Sequence, residues 1–456
     1  MNETKKTIYF AAAAVVLALV AFIMAPQRLT PDAFLDQGEA FFPEFTDPNE
    51  ATTLEVITFD EATGSAAPFK VTFEGGRWII PSHHDYPADA QDRLAKTAAS
   101  VIDLKKDDFR SDNVSDHEAC GVLDPLDETA VMTGRGQRIT IKGDGDKLLA
   151  DLIVGKPVEG RRNMRFVRLP DQKRVFAVRA DIDLSTRFED WIETDLLKIM
   201  KHRIENVTLM DYSINERTSS IDNRDVVRLT KKAGAWTADK LGSDKVVDST
   251  RMEELLTALD SLAIVGVRPK PQGLSAGLLA QTDKQSMSQS DLRSLQSKGF
   301  YVGRNSQLLS NEGEVQFETA DGVRYVLRFG EVVYGSGLLV TAGVSGSDAS
   351  AESGAAGNRY LFITTEYDNR YFKEPASPAD TSFLQKADSL WTDSDRENKG
   401  VYDKHLQWRR DVERGQKLSA DMNARFADWY YVISSDSFKK LRLKRSDLIR
   451  KKADTN

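Results

Sequence analysis

Several short sequence landmarks occur twice along this chain, in the same order both times. The clearest pairs are Gly76-Arg-Trp78 with Gly234-Ala-Trp236, Asn163-Met-Arg-Phe-Val167 with Asn358-Arg-Tyr-Leu-Phe362, and Arg187-Phe-Glu-Asp-Trp191 with Arg425-Phe-Ala-Asp-Trp429. Self-similarity that keeps its order along the sequence is typical of an internal duplication. Because the copies lie much farther apart than the repeats of a solenoid, the pattern predicts two duplicated domains rather than an array of small units.

Between these landmarks, apolar and polar residues alternate in short segments, as is typical of half-buried strands. The segments are Leu54–Phe59, Phe69–Phe73, Arg138–Ile141, Leu148–Val154, Met164–Leu169 and Arg174–Val178, then Val207–Asp211, Val226–Thr230, Val315–Thr319, Val323–Gly330 and Asn358–Phe362. Apolar residues have helical spacing in Ala88–Leu104 and from Met252 to Leu262, and a short helix is predicted over Arg187–Met200. The pattern predicts an α+β fold in which antiparallel strands carry packed helices.

The domain boundaries follow from the landmarks. With 456 residues the chain is too long for one ordinary domain. We predict a first repeat domain over residues 51–202 and a second over residues 203–437. The second copy is longer, and we assign the excess to insertions at residues 269–290, 345–357 and 374–418, of which the middle one is rich in Gly, Ala and Ser.

The amino-terminal region contains an uninterrupted apolar run. Ile8 to Ala25 are 18 residues without a charge, and a helix of that length spans roughly 27 Å, about the thickness of a hydrocarbon core. Lys5 and Lys6 precede the run and acidic residues dominate after it, so residues 1–7 are predicted to stay in the cytoplasm. Cleavage after Ala25 or after Ala21 would place Ile23 or Leu19 at the −3 position. A signal peptidase needs a small residue there, which favours an uncleaved anchor. We therefore predict a single-pass inner-membrane protein with a polar stalk over residues 26–50 and an extracytoplasmic bulk.

Composition excludes several classes of function. The 62 basic and 70 acidic residues give a net charge of −8, which argues against a nucleic-acid-binding protein. The single cysteine, Cys120, rules out an intramolecular disulfide framework and any cysteine-rich metal site.

Few residues suggest chemistry. His83-His84-Asp85, with His117, is the one cluster of metal-like composition, but adjacent histidines on an extended chain point to opposite sides. A lone cysteine such as Cys120 is more often a small buried apolar residue than a nucleophile. The sequence lacks the glycine pattern of a phosphate-binding loop and the Gly-x-Ser-x-Gly motif of hydrolases. We therefore assign no catalytic, cofactor-binding or metal-binding residue and expect no cofactor.

The carboxy-terminal segment, residues 438–456, is strongly basic. Basic residues far outnumber acids between Phe438 and Lys452, and Phe438, Leu441, Leu448 and Ile449 form a narrow apolar stripe. We predict a basic tail that either contacts anionic lipid or an acidic protein, or is simply solvated.

Taken together, the ordered motifs resemble the bacterial family known as domain of unknown function 4340. The motifs are Gly76-Arg-Trp78, Gly121-Val-Leu-Asp-Pro125, Ala150-Asp-Leu-Ile-Val-Gly155, Asn163–Arg168, Val175–Val178 and Phe188-Glu-Asp-Trp191, followed in the second copy by Leu309–Glu314 and Leu327–Glu331. The resemblance is good from Leu54 to Val207. It implies a membrane-anchored, exported protein that accompanies ABC-type transport systems related to gliding-motility auxiliaries, and it transfers no site residue.

Three functions remain open from the sequence. The leading hypothesis is a non-enzymatic accessory or scaffold protein of an ABC-type transport or envelope complex, whose partner is a permease or an auxiliary subunit. The alternative is an extracytoplasmic module that binds a glycan or a peptide, with Trp78, Trp236, Trp391 and Trp408 as stacking surfaces. A hydrolase is the third hypothesis, and it requires a pocket that gathers His83, His84 and distant carboxylates.

Overall fold

A computed structural model describes residues 11–18, 37–61, 63–182, 184–215, 217–218, 220–279, 287–303, 307–335, 337–343 and 357–452. By the density of its contacts the chain divides into two compact units. One contains residues 1–70 and 92–184, and the other contains residues 71–91 and 185–456. The architecture is α+β, as predicted, with antiparallel sheets and helices.

In the described part of the chain, nine strands form the first sheet: β1 (Thr53–Asp60), β2 (Ser65–Glu74), β3 (Arg77–Ile80), β4 (Tyr86–Pro87), β5 (Asp108–Ser111), β6 (Gln137–Lys142), β7 (Leu148–Pro157), β8 (Met164–Arg168) and β9 (Val175–Arg179). Their order across the sheet is β4-β3-β2-β1-β6-β7-β8-β9-β5. Alternation shows in β6, where Ile139 and Ile141 are buried and the residues between them are less so. Leu54 of β1 lies opposite Ile141, which fixes the register of this pair.

Two helices accompany these strands in the sequence. Helix α1 (Gln91–Ile102) buries Leu94, Thr97, Ala98 and Val101, the spacing of one helical face. Helix α2 (His117–Cys120) is one turn long and ends at Gly121, whose φ of 68° suits glycine. Cys120 packs with Val122, Ile153 and Val175 in an apolar cluster.

The second sheet has eight strands among the described residues: β10 (Ile204–Asn215), β11 (Ser220–Lys232), β12 (Ala235–Ala238), β14 (Gly266–Pro269), β17 (Glu314–Thr319), β18 (Val323–Val333), β19 (Asn358–Tyr367) and β20 (Trp429–Ile433). Their order is β12-β11-β10-β17-β18-β19-β20-β14. Two small antiparallel pairs lie outside it: β13 (Lys245–Val247) with β21 (Ile449–Lys451), and β15 (Phe300–Val302) with β16 (Leu308–Ser310).

The two sheets follow one pattern of connections. In each sheet, three consecutive strands form a meander. The next strand of the shared order, β5 or β14, lies at the far edge, and the four later strands of the sheet fill the space between the meander and that edge. The order β3-β2-β1-β6-β7-β8-β9-β5 therefore corresponds to the order β12-β11-β10-β17-β18-β19-β20-β14. A helix of 12 residues precedes the edge strand in each: α1 before β5, and α3 (Ser249–Asp260) before β14.

The corresponding hairpins also share a turn. Gly75 and Gly76 connect β2 to β3 with φ values of 59° and 80°, and Ala233 and Gly234 connect β11 to β12 with φ values of 48° and 83°. Positive φ at both central residues is the type I′ geometry, whose twist matches that of the flanking strands. Ala233 adopts this conformation despite its Cβ, which costs about 1 kcal/mol or more relative to glycine.

The remaining helices are α4 (Gln272–Leu279), α5 (Gln289–Gln296), α6 (Gly337–Thr341), α7 (Asp393–Ala427), α8 (Ser435–Leu441) and α9 (Arg445–Leu448). Helix α7 is 35 residues long and packs on β18, β19 and α4. Asn423 of this helix pairs with the backbone of Thr365, donating from Nδ2 and accepting at Oδ1, both at 2.8 Å. The helix therefore lies in a fixed register along the edge of β19.

Some predictions need correction. Arg187–Met200 is not a helix, because only Phe188–Trp191 form a single 3-10 turn. A surface helix has one buried face and one face toward solvent. The buried residues of this segment do not lie on one helical face; they are Phe188, Trp191, Leu196 and Leu197. Lys198, with a φ of 49°, would interrupt it in any case.

The insertion and anchor predictions are covered in part by the described residues. Residues 269–290 contain α4 and residues 374–418 contain most of α7, whereas 345–356 lie outside the described residues. Of the predicted anchor only residues 11–18 are described, and they are helical and exposed. Within the part of the chain that the structure describes, we find no helix with the length and apolarity needed to cross a membrane.

Candidate functional site

The histidine pair that the sequence singled out lies between β3 and β4. His83 is buried, and its ring stacks on Phe188 with centroids 4.4 Å apart. Its Nε2 lies 2.9 Å from the Thr341 hydroxyl, and the Nε2 of His84 lies 2.7 Å from the Ala342 carbonyl. The two side chains thus hold the end of α6 and the residue that follows it.

Burial, together with the neighbouring His84 and Arg268, lowers the pKa of His83 to about 4. A neutral ring at ordinary pH suits both its stacking on Phe188 and its bond to Thr341. His84 and Asp85 have positive φ values of 60° and 58°, so this short turn is conformationally constrained. Within the described ranges, no three His, Cys, Asp or Glu residues are grouped so that they could hold a metal ion.

Cys120 is another residue that the sequence considered for chemistry. It is 4% exposed, and burial raises the pKa of its thiol. Nucleophilic attack requires the thiolate. The thiol therefore behaves as a small apolar group within the cluster that it forms with Val122, Ile153 and Val175.

The basic carboxy-terminal segment is folded rather than extended. Residues 438–452 do not form one helix but contribute α8, α9 and β21, and Phe438, Leu441 and Leu448 are buried. Arg445 donates to both carboxylate oxygens of Asp225, at 2.9 and 3.3 Å, and to the carbonyls of Val226 and Asp239.

Arg442 forms ion pairs with Asp211 and Glu312, and Arg450 with Asp248. Acidic residues of β10, β11 and the loops beside them thus attract the arginines inward, which is why the segment lies against the rest of its unit. Contact with lipid or with an acidic protein by this segment stays a prediction.

The site that stands out in the structure is a groove that no motif indicated. One wall is the hairpin of β10 and β11. Strand β10 pairs with β17 only as far as Met210 but with β11 as far as Asn215, so the hairpin extends past its neighbour as an arm. Tyr212 fixes the base of this arm, because its hydroxyl donates to Glu314 at 3.2 Å and accepts from the Ser310 backbone at 3.2 Å.

The opposite wall is built by α5 and the β15–β16 pair. A capping box begins α5: Ser288 Oγ accepts from the Asp291 backbone, and the Asp291 carboxylate accepts from the Ser288 backbone. Leu295 at the end of this helix is fully buried and belongs to one apolar cluster with Phe300 and Tyr430. The wall is therefore anchored to the sheet through β20.

Between these walls lies a groove of about 1030 Å³, which we call the arm groove. Its described lining is apolar at Ile214, Ile221, Leu292, Leu295, Phe300, Val302 and Leu309, and polar but uncharged at Thr218, Ser220, Gln296, Tyr301 and Gln307, with Gly303 between them. None of the described lining residues is an acid or a base that is charged at neutral pH. The groove can bury apolar side chains and offer hydroxyl and amide groups to a backbone, and its described lining contains no carboxylate, imidazole, amine or thiol.

A buried lysine contacts two aromatic rings of the apolar cluster that anchors one wall of the arm groove. Lys270 Nζ donates to the Phe426 carbonyl at 2.8 Å and lies 4.0 Å from the centre of the Phe362 ring. The Phe426 carbonyl is at the carboxy-terminal end of α7, where a cation interacts favourably with the helix dipole. Burial lowers the pKa of Lys270 to about 7, and Asp428 partly offsets this effect. Ser275 donates to the next carbonyl, of Ala427, at 3.2 Å.

The sequence could have indicated part of this site. The run Phe300-Tyr-Val302 and the paired Ile214 and Ile221 were visible as apolar residues next to turn residues. Their assembly into one groove was not visible, because the walls come from segments that are far apart in sequence and leave no local motif.

Comparison with known proteins gives one match. The family model described as "Domain of unknown function (DUF4340)" matches residues 78–278. This confirms the family resemblance, although the match starts later and ends later than the Leu54–Val207 range on which the resemblance was strongest. Neither the curated proteins nor the solved structures contain a significant match.

Proposed function

We propose, for a chain whose residues 78–278 belong to the DUF4340 family, a non-enzymatic role as an accessory or scaffold protein of an ABC-type transport or envelope complex. In this proposal the apolar run Ile8–Ala25 anchors the chain in the inner membrane, residues 1–7 stay in the cytoplasm, and the bulk lies outside the cytoplasm. The family itself carries no assigned function, so the proposal rests on the residues of this chain.

The observation that carries the proposal is the composition of the arm groove. A groove of about 1030 Å³ is large enough for several residues of a partner chain, and its described lining is uncharged. Enzyme sites, by contrast, usually concentrate titratable groups with shifted pKa values. The groups that the sequence analysis considered for chemistry, His83, His84 and Cys120, make structural contacts instead.

We also propose that the two sheets arose by duplication of one domain. Their common strand order and the shared type I′ turns support this origin. The repeated Arg-Phe-x-Asp-Trp motif adds to it, since its phenylalanine is buried in both copies, as Phe188 and as Phe426. A duplication that keeps packing residues while the second copy gains the groove is consistent with a binding role for the second copy.

The second candidate function is a module that binds a free peptide. The arm groove favours a peptide over a glycan, because no tryptophan is among its described lining residues to serve as a stacking platform for a sugar. The two candidate functions can be told apart by what is recovered with the chain. A partner subunit is recovered as an intact membrane protein, whereas a free peptide is not.

The experiment is affinity purification of the tagged full-length protein from native membranes in mild detergent, followed by mass spectrometry. The test variant is Ile221→Lys, which places a charge in the groove at a residue that is 39% exposed. The matched control is Leu148→Lys, at an apolar residue that is 57% exposed on the first sheet. Deleting residues 438–456 is unsuitable, because it removes buried side chains.

We expect a transport permease or auxiliary subunit to be recovered with the wild type and the Leu148→Lys variant, and to be lost with Ile221→Lys. Recovery of the chain alone in all three cases contradicts the accessory role. Equal recovery of a subunit with the wild type and both variants contradicts the assignment of the arm groove as its binding site.

A further inference from the structure

A second exposed surface lies in the first unit, in the loop between α2 and β6. Residues 124–132 of this loop have no regular secondary structure, yet the loop contains a set of apolar side chains that face solvent. Leu126 is 49% exposed, and Val131 and Met132 are each 54% exposed. Single exposed apolar residues are ordinary, whereas several on one short loop indicate a contact surface.

One arginine holds this loop in shape. Arg135 Nε donates to the Val131 carbonyl at 3.0 Å, Nη1 to those of Asp124 and Pro125 at 3.2 Å each, and Nη2 to that of Ala130 at 2.7 Å. The same guanidinium stacks over a ring of β1, 4.1 Å from its centre.

Short local bonds add to this framework. The carboxylate of Asp127 accepts from the backbone and the hydroxyl of Thr129, at 2.9 and 2.6 Å, and Asp124 accepts from Arg138 at 3.0 Å. The loop therefore displays its apolar residues on a preorganised backbone, which lowers the entropy that binding would cost.

The charges on the loop select among occupants. Asp127 and Glu128 are exposed and stand between Leu126 and Val131 in the sequence. Two carboxylates beside an apolar surface disfavour an anionic lipid headgroup, and they also disfavour a second copy of this acidic chain. They favour an apolar pocket that is bordered by lysine or arginine.

We infer that residues 124–132, which we call the Arg135 loop, form a docking surface for a protein partner that offers an apolar pocket with a basic border. Leu126, Val131 and Met132 enter the pocket, and Asp127 and Glu128 pair with the border. This surface belongs to the first unit and is independent of the arm groove in the second, so either can fail without the other.

The test is site-specific photo-crosslinking in the native host, with a benzophenone amino acid in place of Met132 in the full-length chain. The control position is Leu148, whose exposure is similar at 57%. A charge-reversed chain, Asp127→Lys with Glu128→Lys, carries the same photoreactive group at position 132. The melting temperature of each purified variant is measured beside its crosslinking yield, so that unfolding is recognised.

We expect one discrete protein adduct from position 132 and none from position 148. Charge reversal should lower the yield by at least about threefold, as expected for two exposed ion pairs replaced by repulsion. The adduct is then identified by mass spectrometry. Replacing the basic residues of the partner at the crosslinked site by acidic ones should restore the crosslinking yield of the charge-reversed chain. The adduct should persist in the Ile221→Lys background.

Three results overturn the inference. They are adducts with lipid or with a second copy of the chain, equal adducts from positions 132 and 148, and a yield that is unchanged by charge reversal in a variant that melts at the wild-type temperature.

Discussion

The imidazole of His83 lies parallel to the ring of Phe188, with 4.4 Å between the ring centroids and 7° between the planes. The two residues are far apart in sequence, and the contact joins the β3–β4 turn to the 3-10 turn Phe188–Trp191. Burial lowers the pKa of His83, so at ordinary pH the ring stacks on Phe188 and bonds to Thr341 in its neutral form. This relationship makes stability depend on pH in a way that can be measured.

We predict that the free energy of unfolding falls as the pH is lowered from about 6.5 to about 4, and that His83→Gln removes part of this fall. The pKa of His83 is about 4 in the folded protein, against 6.5 for an unperturbed histidine. In that window the unfolded chain binds the proton and the folded chain does not, so acid favours unfolding. Chemical denaturation at several pH values measures it, with the exposed His202→Gln as control. Parallel pH profiles for wild type and His83→Gln would contradict the assignment.

Lys270 is expected to change stability in the same direction as His83, but at alkaline pH. Its folded pKa of about 7 lies below the ordinary value of 10.5. Between these values the unfolded chain holds more protons, so the free energy of unfolding should rise with pH, by up to about 1.4 kcal/mol per pH unit. The Lys270→Met variant should lack this contribution, whatever its absolute stability.

The readout for Lys270 is the difference in slope between wild type and variant, from urea denaturation between pH 7 and 9.5. Lys417→Met, at an exposed position of α7, is the matched control and should keep the wild-type slope. If Lys270→Met and Lys417→Met give the same dependence of unfolding free energy on pH, the lowered pKa of Lys270 is refuted.

The turn between β11 and β12 offers a stabilising substitution. Ala233 has a φ of 48°, and asparagine followed by glycine is the preferred pair for a type I′ turn. We predict that Ala233→Asn raises the free energy of unfolding by about 0.5–1 kcal/mol. The control is Ala235→Asn, two residues later in β12, where asparagine should lower stability slightly. A loss at position 233 as large as that at 235 would show that the turn has another geometry.

Arg445 tests whether the carboxy-terminal segment is structural. Its guanidinium bonds to Asp225 and to the carbonyls of Val226 and Asp239. We expect Arg445→Ala to destabilise the protein by about 1–3 kcal/mol, since the carbonyl acceptors lose their donor and the ion pair, which is partly exposed, adds less. Lys451→Ala, at an exposed end of β21, should change stability by less than about 0.5 kcal/mol. Thermal melts of both variants decide between a folded segment and a dispensable tail.

The sequence predicted the strands whose burial alternates, such as β6 and β17, because a sheet with one buried face imposes a period of two. It missed β20, since Trp429-Tyr-Tyr-Val-Ile433 is apolar throughout and such a run does not distinguish a strand from a buried helix. It also missed the edge strands β5 and β14, which are four residues each. Their place is set by pairing with β9 and β20 rather than by their own pattern.

The candidate site depended still more on tertiary structure. The histidine pair drew notice by composition, yet its contacts with Thr341 and Ala342 come from residues more than half the chain away. The basic residues from Phe438 to Lys452 suggested a surface tail, but the acidic partners of Arg442 and Arg445 lie on β10, β11 and neighbouring loops. Pairings of this kind appear only when the fold brings the segments together.

In the proposed function, a membrane-anchored chain that is exposed outside the cytoplasm holds a partner in the arm groove. The most direct measurement is the rate at which a membrane-impermeant maleimide labels single introduced cysteines in spheroplasts and in the purified chain. The native Cys120 is buried and provides a low background. The two probes are Gln307→Cys in the groove lining and Leu148→Cys on an exposed strand position.

We predict that Leu148→Cys is labelled at the same rate in spheroplasts and in the purified chain, whereas Gln307→Cys is labelled several-fold more slowly in spheroplasts. Equal rates for Gln307→Cys in both preparations would show an unoccupied groove. Labelling of Leu148→Cys only after lysis would contradict the proposed location outside the cytoplasm.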